Sequence, residues 1–210
     1  MNILKSNNNI TNMISRFLFH VITIGILFIF QTASAACIDN RTYLLSLSPN
    51  DFDEAAEGWR KLSKETGCLK EAADLIAEFR HSHFATLTES EMHLNYLHEG
   101  QLRAAGGDYT AARPLLMNGA PSSDYADFTD YALGTIAFLD NDKTALVSAI
   151  RRLEAQPEPD WFRNYKAEHA NDVGGSPVWP PNLEVLKTLL TCFGKPYSVA
   201  YGGGCKSVGR

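Results

Sequence analysis

Positive charge is in short supply in this sequence: 19 Lys and Arg stand against 24 Asp and Glu, a formal net charge of -5 over 210 residues. No Lys/Arg cluster offsets that balance, which excludes an evident footprint for nucleic acid or an anionic membrane surface. The motifs of nucleophilic and phosphate chemistry are missing too. There is no G-x-S-x-G elbow, and Gly202-Gly203-Gly204 lacks the Lys-Ser/Thr that would make it a phosphate loop. His98-Glu99 has Leu102 where the zinc protease motif needs its second histidine. Beyond Phe30 no long apolar run occurs, and no low-complexity tract follows. Cysteine is sparse, with 4 in the chain, all of them from Cys37 onward.

What is present begins with a leader. Residues 1 to 16 are polar and carry Lys5 and Arg16 without an acid, Phe17 to Phe30 are apolar apart from His20 and Thr23, and Thr32-Ala33-Ser34-Ala35-Ala36 follows. A positive start, a short apolar core and an A-x-A end are the three parts of a cleavable signal peptide. The apolar run is also shorter than the roughly 20 residues that a membrane-spanning helix needs. Residues 1–36 are therefore expected to be removed and 37–210 to form a single domain, periplasmic or secreted, with no integral membrane segment left. Losing Lys5 and Arg16 takes the formal charge from -5 to -7.

Cys37 stands close enough to the cleavage site to raise lipid attachment, but Ser34 occupies the position where the bacterial lipidation pattern usually has Leu. An even number of cysteines in an exported chain favours disulfides instead. Four cysteines allow three pairings. Cys192 and Cys205 flank a Gly- and Pro-containing turn, and Cys37 and Cys68 flank one helix, so these two local pairs are the expected bridges. Each would stabilise the fold by about 3–4 kcal/mol through loop entropy.

Past the leader the dominant pattern is helical. Phe52, Ala55, Ala56, Trp59 and Leu62 make one apolar stripe, begun at Ser48-Pro49 or Asn50 and ended by Thr66-Gly67; Leu69, Ala72, Ala73, Ile76 and Phe79 make the next. Thr88-Glu89-Ser90-Glu91 fits a capping box. The helix it opens runs through Tyr96, Leu97 and Gly100 to Ala104, stops at Gly106-Gly107, and restarts after Asp108 with Tyr109, Ala112, Leu115 and Leu116. A third pair follows: Tyr125, Phe128, Tyr131, Ala132 and Ile136, the turn Asp140-Asn141-Asp142, then Ala145, Ala149, Ile150 and Leu153.

The three turns at Gly67, Gly107 and Asn141 are 40 and 34 residues apart, and a spacing near 34 with two helices per unit is that of a tetratricopeptide unit. Gly100 at a small position of the first helix, Gly107 at the turn, and Tyr109 and Ala112 on the returning helix resemble that family, and Leu133-Gly134 with Ala145 repeats the pattern more loosely. The closing proline of the consensus is missing from every unit. The resemblance covers residues 50 to 154. It implies an all-α fold: a short right-handed stack of about three helical hairpins, whose small residues let helices approach closely.

After Glu154 the character changes. Residues 156–181 hold Pro157, Pro159, Pro177, Pro180, Pro181 and Gly174-Gly175, which reads as a long ordered loop or lid with little regular structure, folding back on the helices through Trp161, Phe162, Tyr165 and Trp179. Residues 182–205 read as a capping helix, Leu183 to Phe193, and a disulfide-pinned tail. The ending Cys192-Phe193-Gly194-Lys195-Pro196-Tyr197 resembles that of a group of uncharacterised exported bacterial proteins, a likeness that brings no activity with it.

Candidate chemistry is thin. His81 and His83 sit at a helix end, and His93 and His98 are placed on different faces of one helix, which does not suit a shared metal. No metal site, catalytic residue or cofactor is expected. Glu89, Glu91 and Glu99 could serve a cell-envelope hydrolase as helix-borne carboxylates; the plainer expectation is that Glu89 and Glu91 start a helix and Glu99 is solvated. The resemblance implies a concave face lined by the first helix of each hairpin, with Tyr96, Arg103 and Tyr131 as candidates on it, and Trp161 joins them from the aromatic loop. The expectation is an interaction module for a protein, peptide or envelope component; one sharper form is an inhibitor that blocks a toxin delivered to the envelope.

Overall fold

A computed structural model describes residues 37–55, 57–65, 67–120, 126–170 and 176–205, all within the compact unit Ala36–Arg210. Residues 1–36, expected to be a leader, and Ala56, Thr66, Tyr125 and Gly174-Gly175 lie outside the described residues. Every regular element among the described residues is a helix: α1 (Arg41–Leu45), α2 (Pro49–Glu54), α3 (Trp59–Lys64), α4 (Leu69–Ser82), α5 (Glu89–Ala105), α6 (Tyr109–Asn118), α7 (Ala126–Leu139), α8 (Lys143–Glu154), α9 (Asp160–Glu168), α10 (Leu183–Thr191) and α11 (Tyr197–Tyr201). None of them is long and apolar enough to cross a membrane. Disulfides join Cys37 to Cys68 and Cys192 to Cys205.

Local chemistry accounts for the starts of α2, α5, α6 and α8. Ser48 caps α2 by accepting from Asp51 N–H at 3.1 Å, with Pro49 pre-set at the first helical position. Thr88 and Glu91 form the capping box of α5, the Thr88 N–H donating to the Glu91 carboxylate at 2.7 Å. Asp108 and Asp142 cap α6 and α8 through Ala111 N–H and Ala145 N–H. Gly107 and Asn141 take up the left-handed backbone conformation at the turns before those caps.

Two expectations from the pattern are corrected. The stripe Phe52 to Leu62 is not one helix. The backbone turns out of α2 at Ala55 and re-enters as α3 after Gly58, where a Cβ would lie 2.3 Å from the Phe52 carbonyl oxygen. Apolar periodicity continued across the break because both short helices bury the same side. Residues 156–181 are not free of regular structure either: Pro159 precedes α9 and Asp160 opens it, the position where proline and an acid start helices rather than end them.

Two apolar cores result. Phe52, Trp59, Leu62, Leu75, Ile76 and Phe79 fill the first, where the Phe52 and Phe79 rings stack at 3.8 Å. Leu97, Leu116, Leu146, Leu153, Leu186 and Leu189 fill the second. Burying such side chains is worth about 1.5–3 kcal/mol each. α5 is the wall they share, giving Leu102 to the first core and Leu97 and Ala104 to the second. It packs on α4 on one side and α6 on the other, and α7 pairs with α8. Close approach of α5 to α6 depends on Gly100, whose added Cβ would lie 2.9 Å from Leu116 Cγ. α10 seats on α7 and α8 in the same way, with Leu186 over Gly134.

Candidate interaction surface

Helical spacing puts Tyr96, Glu99 and Arg103 on one face of α5, between the two apolar faces and toward α4. Glu99 is only 4% exposed, so the expectation of a solvated carboxylate is corrected. Its charge is tolerable there because two guanidiniums meet it: Arg103 Nη2 donates at 3.0 Å, and Arg80 Nη1 from α4 lies 2.7 Å from the other oxygen. Arg103 also lies 2.7 Å from Asp74, which Lys70 contacts at 2.6 Å. The Arg80 guanidinium covers the Tyr96 ring at 3.9 Å. Burial works against the Arg103 charge, but Asp74 and Glu99 outweigh it and hold its pKa above the ordinary value. Burial likewise opposes the Asp74 carboxylate, and Lys70 and Arg103 overcome it and hold its pKa low.

A second polar knot ties the first core to α5. Asp53 at the end of α2 accepts from Trp59 Nε1 at 2.9 Å and from Arg60 Nη2 at 3.2 Å, and His98 Nδ1 lies 2.9 Å from it. Burial would raise the Asp53 pKa, but His98, Trp59 and Arg60 reverse that and hold it below the usual carboxylate range. Beside the Asp–His pair lie the Trp59 indole, 5.1 Å from the His98 ring, and the Arg60 guanidinium, 4.6 Å over that indole. His93 faces elsewhere and contacts the Asn118 carbonyl at 2.7 Å. Glu91 is occupied by the cap, Glu99 by its arginines, and Glu89 by His93 at 3.5 Å, so the three carboxylates do not converge. Among the described residues no group of three or more His, Cys, Asp or Glu side chains could hold a metal ion.

The candidate binding residues therefore separate. Tyr96 and Arg103 come together but are engaged at the α4–α5 seam. Tyr131, read as lining an open face, is 1% exposed, and its hydroxyl accepts from Gln101 Nε2 at 2.7 Å. Trp161 alone stands open, 54% exposed on α9.

Around Trp161 the chain builds a platform. Phe162 is buried and meets the Trp179 ring at 5.0 Å, and Trp179 Nε1 donates to the Gln156 carbonyl at 2.9 Å, which anchors α9 to the end of α8. Trp161 stands edge-on to both Phe162 and Trp179, at 5.5 Å and 6.0 Å. One helical turn on, Tyr165 is 44% exposed, its ring 4.0 Å from that of His169. Lys166 contacts Glu158 at 2.8 Å and Arg163 pairs with Asp160, giving the platform a mixed-charge rim. Val178 adds exposed apolar surface beside Trp179. Tyr165 belongs to the surface through its spacing of one turn from Trp161, a pattern visible only once the segment is read as a helix.

No family model matches this chain, and neither a curated protein nor a solved structure matches it.

Proposed function

We propose that the chain is an exported interaction module that holds a protein or peptide partner on the aromatic platform of α9. The carrying observation is the pair Trp161 and Tyr165, exposed one turn apart and braced from behind by buried Phe162 and anchored Trp179. Trp and Tyr are the side chains that most often anchor interfaces, and rings already fixed in place lose little entropy on binding. Two disulfides support an oxidising compartment outside the cytoplasm, in keeping with the leader. The packed pairs α3–α4, α5–α6 and α7–α8, which flank the turns at Gly67, Gly107 and Asn141, with Gly100 and Gly134 at close approaches in the last two, support the reading of a short stack of tetratricopeptide-like hairpins.

The test is retention of a partner from envelope extract by the oxidised chain from residue 37 onward, compared with the Trp161→Ala/Tyr165→Ala double variant and with Arg103→Ala. A protein retained by the parent and by Arg103→Ala but lost from the aromatic variant supports the platform. Retention unchanged in the aromatic variant, or turnover of peptidoglycan fragments without any retained protein, overturns it.

A further inference from the structure

The nine residues of α9 hold two cations, Arg163 and Lys166, and both are engaged. Arg163 pairs with Asp160 and donates to the Glu158 carbonyl at 2.6 Å; Lys166 lies 2.8 Å and 3.1 Å from the two carboxylate oxygens of Glu158. An acidic or phosphorylated occupant would therefore find no cation on this helix to pair with. Glu168 is different. It stands exposed seven positions after Trp161, on the same helical face as Trp161 and Tyr165, and has no ion-pair partner among the described residues. The charge left open on the platform is thus negative and lies at its end.

The two rings bring donors as well as apolar surface. Neither the Trp161 indole N–H nor the Tyr165 hydroxyl has a hydrogen-bond partner among the described residues, whereas the indoles of Trp59 and Trp179 donate to Asp53 and to the Gln156 carbonyl. Rings and donors together suit a segment that is apolar and has free carbonyls. A helical segment keeps its carbonyls for its own N–H groups, except in its last turn. A strand binds by joining a sheet edge, and the described residues form no strand. A proline-rich segment in the polyproline II conformation meets both demands. Its carbonyls have no internal partner, proline has no N–H for the surface to satisfy, and its conformation is set before binding. Four positions along a helix give a rise of about 6 Å, which is about the length of two polyproline II residues, so the two rings are spaced to meet one proline pair.

We infer that the partner of the α9 platform is a proline-rich segment in the polyproline II conformation. Its rings lie against Trp161 and Tyr165, its carbonyls accept from the Trp161 indole and the Tyr165 hydroxyl, and a Lys or Arg of the segment meets Glu168. This partner class presupposes that α9 is the binding face.

The test uses the whole disulfide-bonded protein, isotopically labelled at nitrogen, and peptides of about nine residues: oligoproline flanked by Arg, oligoproline flanked by Glu, and an alternating Gly-Ser chain flanked by Arg. An amphipathic helical peptide of about twenty residues is the fourth probe. Binding is followed at the indole N–H resonance of Trp161, assigned by its disappearance in Trp161→Phe, with the buried Trp59 indole as reference. Arg-flanked oligoproline is expected to shift the Trp161 resonance saturably and to bind at least about tenfold more tightly than the Gly-Ser peptide, which has to be ordered on binding. Glu flanks, or Glu168→Gln in the protein, should each weaken it about two- to fivefold, as suits one exposed charge contact. Tyr165→Phe keeps the ring and loses the donor, for a loss of about three- to tenfold. Oligoproline bound no more tightly than the Gly-Ser peptide, equal affinity for the Arg- and Glu-flanked forms, unchanged affinity in Tyr165→Phe, or preference for the helical peptide overturns the proposal. Loss of an extract protein from Trp161→Ala/Tyr165→Ala, with Trp161 unmoved by oligoproline, leaves the platform standing and removes the proline-rich partner. Unchanged retention in that double variant removes the platform itself.

Discussion

Replacing Glu99 with Gln is the sharpest probe of how the two halves of the helical fold are joined. The carboxylate sits between Arg80 and Arg103 with 4% of its residue surface exposed. Removing one partner of a fully buried ion pair costs about 3–5 kcal/mol, since the other charge is left without compensation. Here the penalty is partly relieved. The two arginine side chains keep 13% and 16% exposure, Arg103 retains Asp74 at 2.7 Å, and Arg80 retains the face of Tyr96. The expected loss is thus about 2–4 kcal/mol, which for a chain of this size lowers Tm by about 5–15 °C. Thermal and urea unfolding followed by far-ultraviolet circular dichroism, with both disulfides intact, measures it. Combining Glu99→Gln with Arg103→Gln should give a coupling energy of about 1–3 kcal/mol. A loss below about 0.5 kcal/mol for Glu99→Gln would place it among ordinary surface substitutions and refute the argument.

Three further outcomes follow from the same geometry. Trp161→Ala/Tyr165→Ala should shift stability by less than about 1 kcal/mol because both rings are exposed, whereas Phe162→Ala should cost about 3–5 kcal/mol; the same unfolding curves separate them. Because the Asp53 pKa is lower folded than unfolded, its contribution to stability is complete above the ordinary carboxylate range, about pH 4, and is lost as pH falls through the folded value. Asp53→Asn should therefore flatten the acid limb of a stability-versus-pH curve, and an unchanged limb would show the knot is not formed. Gly134→Val would bring a side chain against Leu186, whose Cδ1 lies 2.7 Å from an added Cβ; a loss of about 1–3 kcal/mol with earlier proteolysis of the α10–α11 segment is expected.

Much of the fold was legible because its signals are short-range. The capping box at Thr88 and Glu91, the aspartates at 108 and 142, and the turns at Gly107 and Asn141 act within four residues and need no tertiary help. The break at Gly58 was hidden because periodicity registers which side is buried and is blind to a turn that keeps burying it. α9 was hidden for the opposite reason: its flanking prolines weigh against regular structure in a composition window, while one proline just before the helix favours its start. Among the candidate site residues, aromatic character identified Trp161 and Tyr131 equally, although one is exposed and the other sealed.

The sequence by itself determined the caps and turns that start α5, α6 and α8, the export leader as an expectation, and the even cysteine count that makes two bridges possible, since each depends on neighbours along the chain. Only the tertiary structure decided which tyrosine faces water, that Glu99 is buried between arginines from two helices, and that Tyr131 is sealed inside with its hydroxyl on Gln101. Those outcomes turn on residues far apart in sequence arriving at one place, where burial removes water and leaves a charge or hydroxyl to be matched by whatever the fold brings beside it.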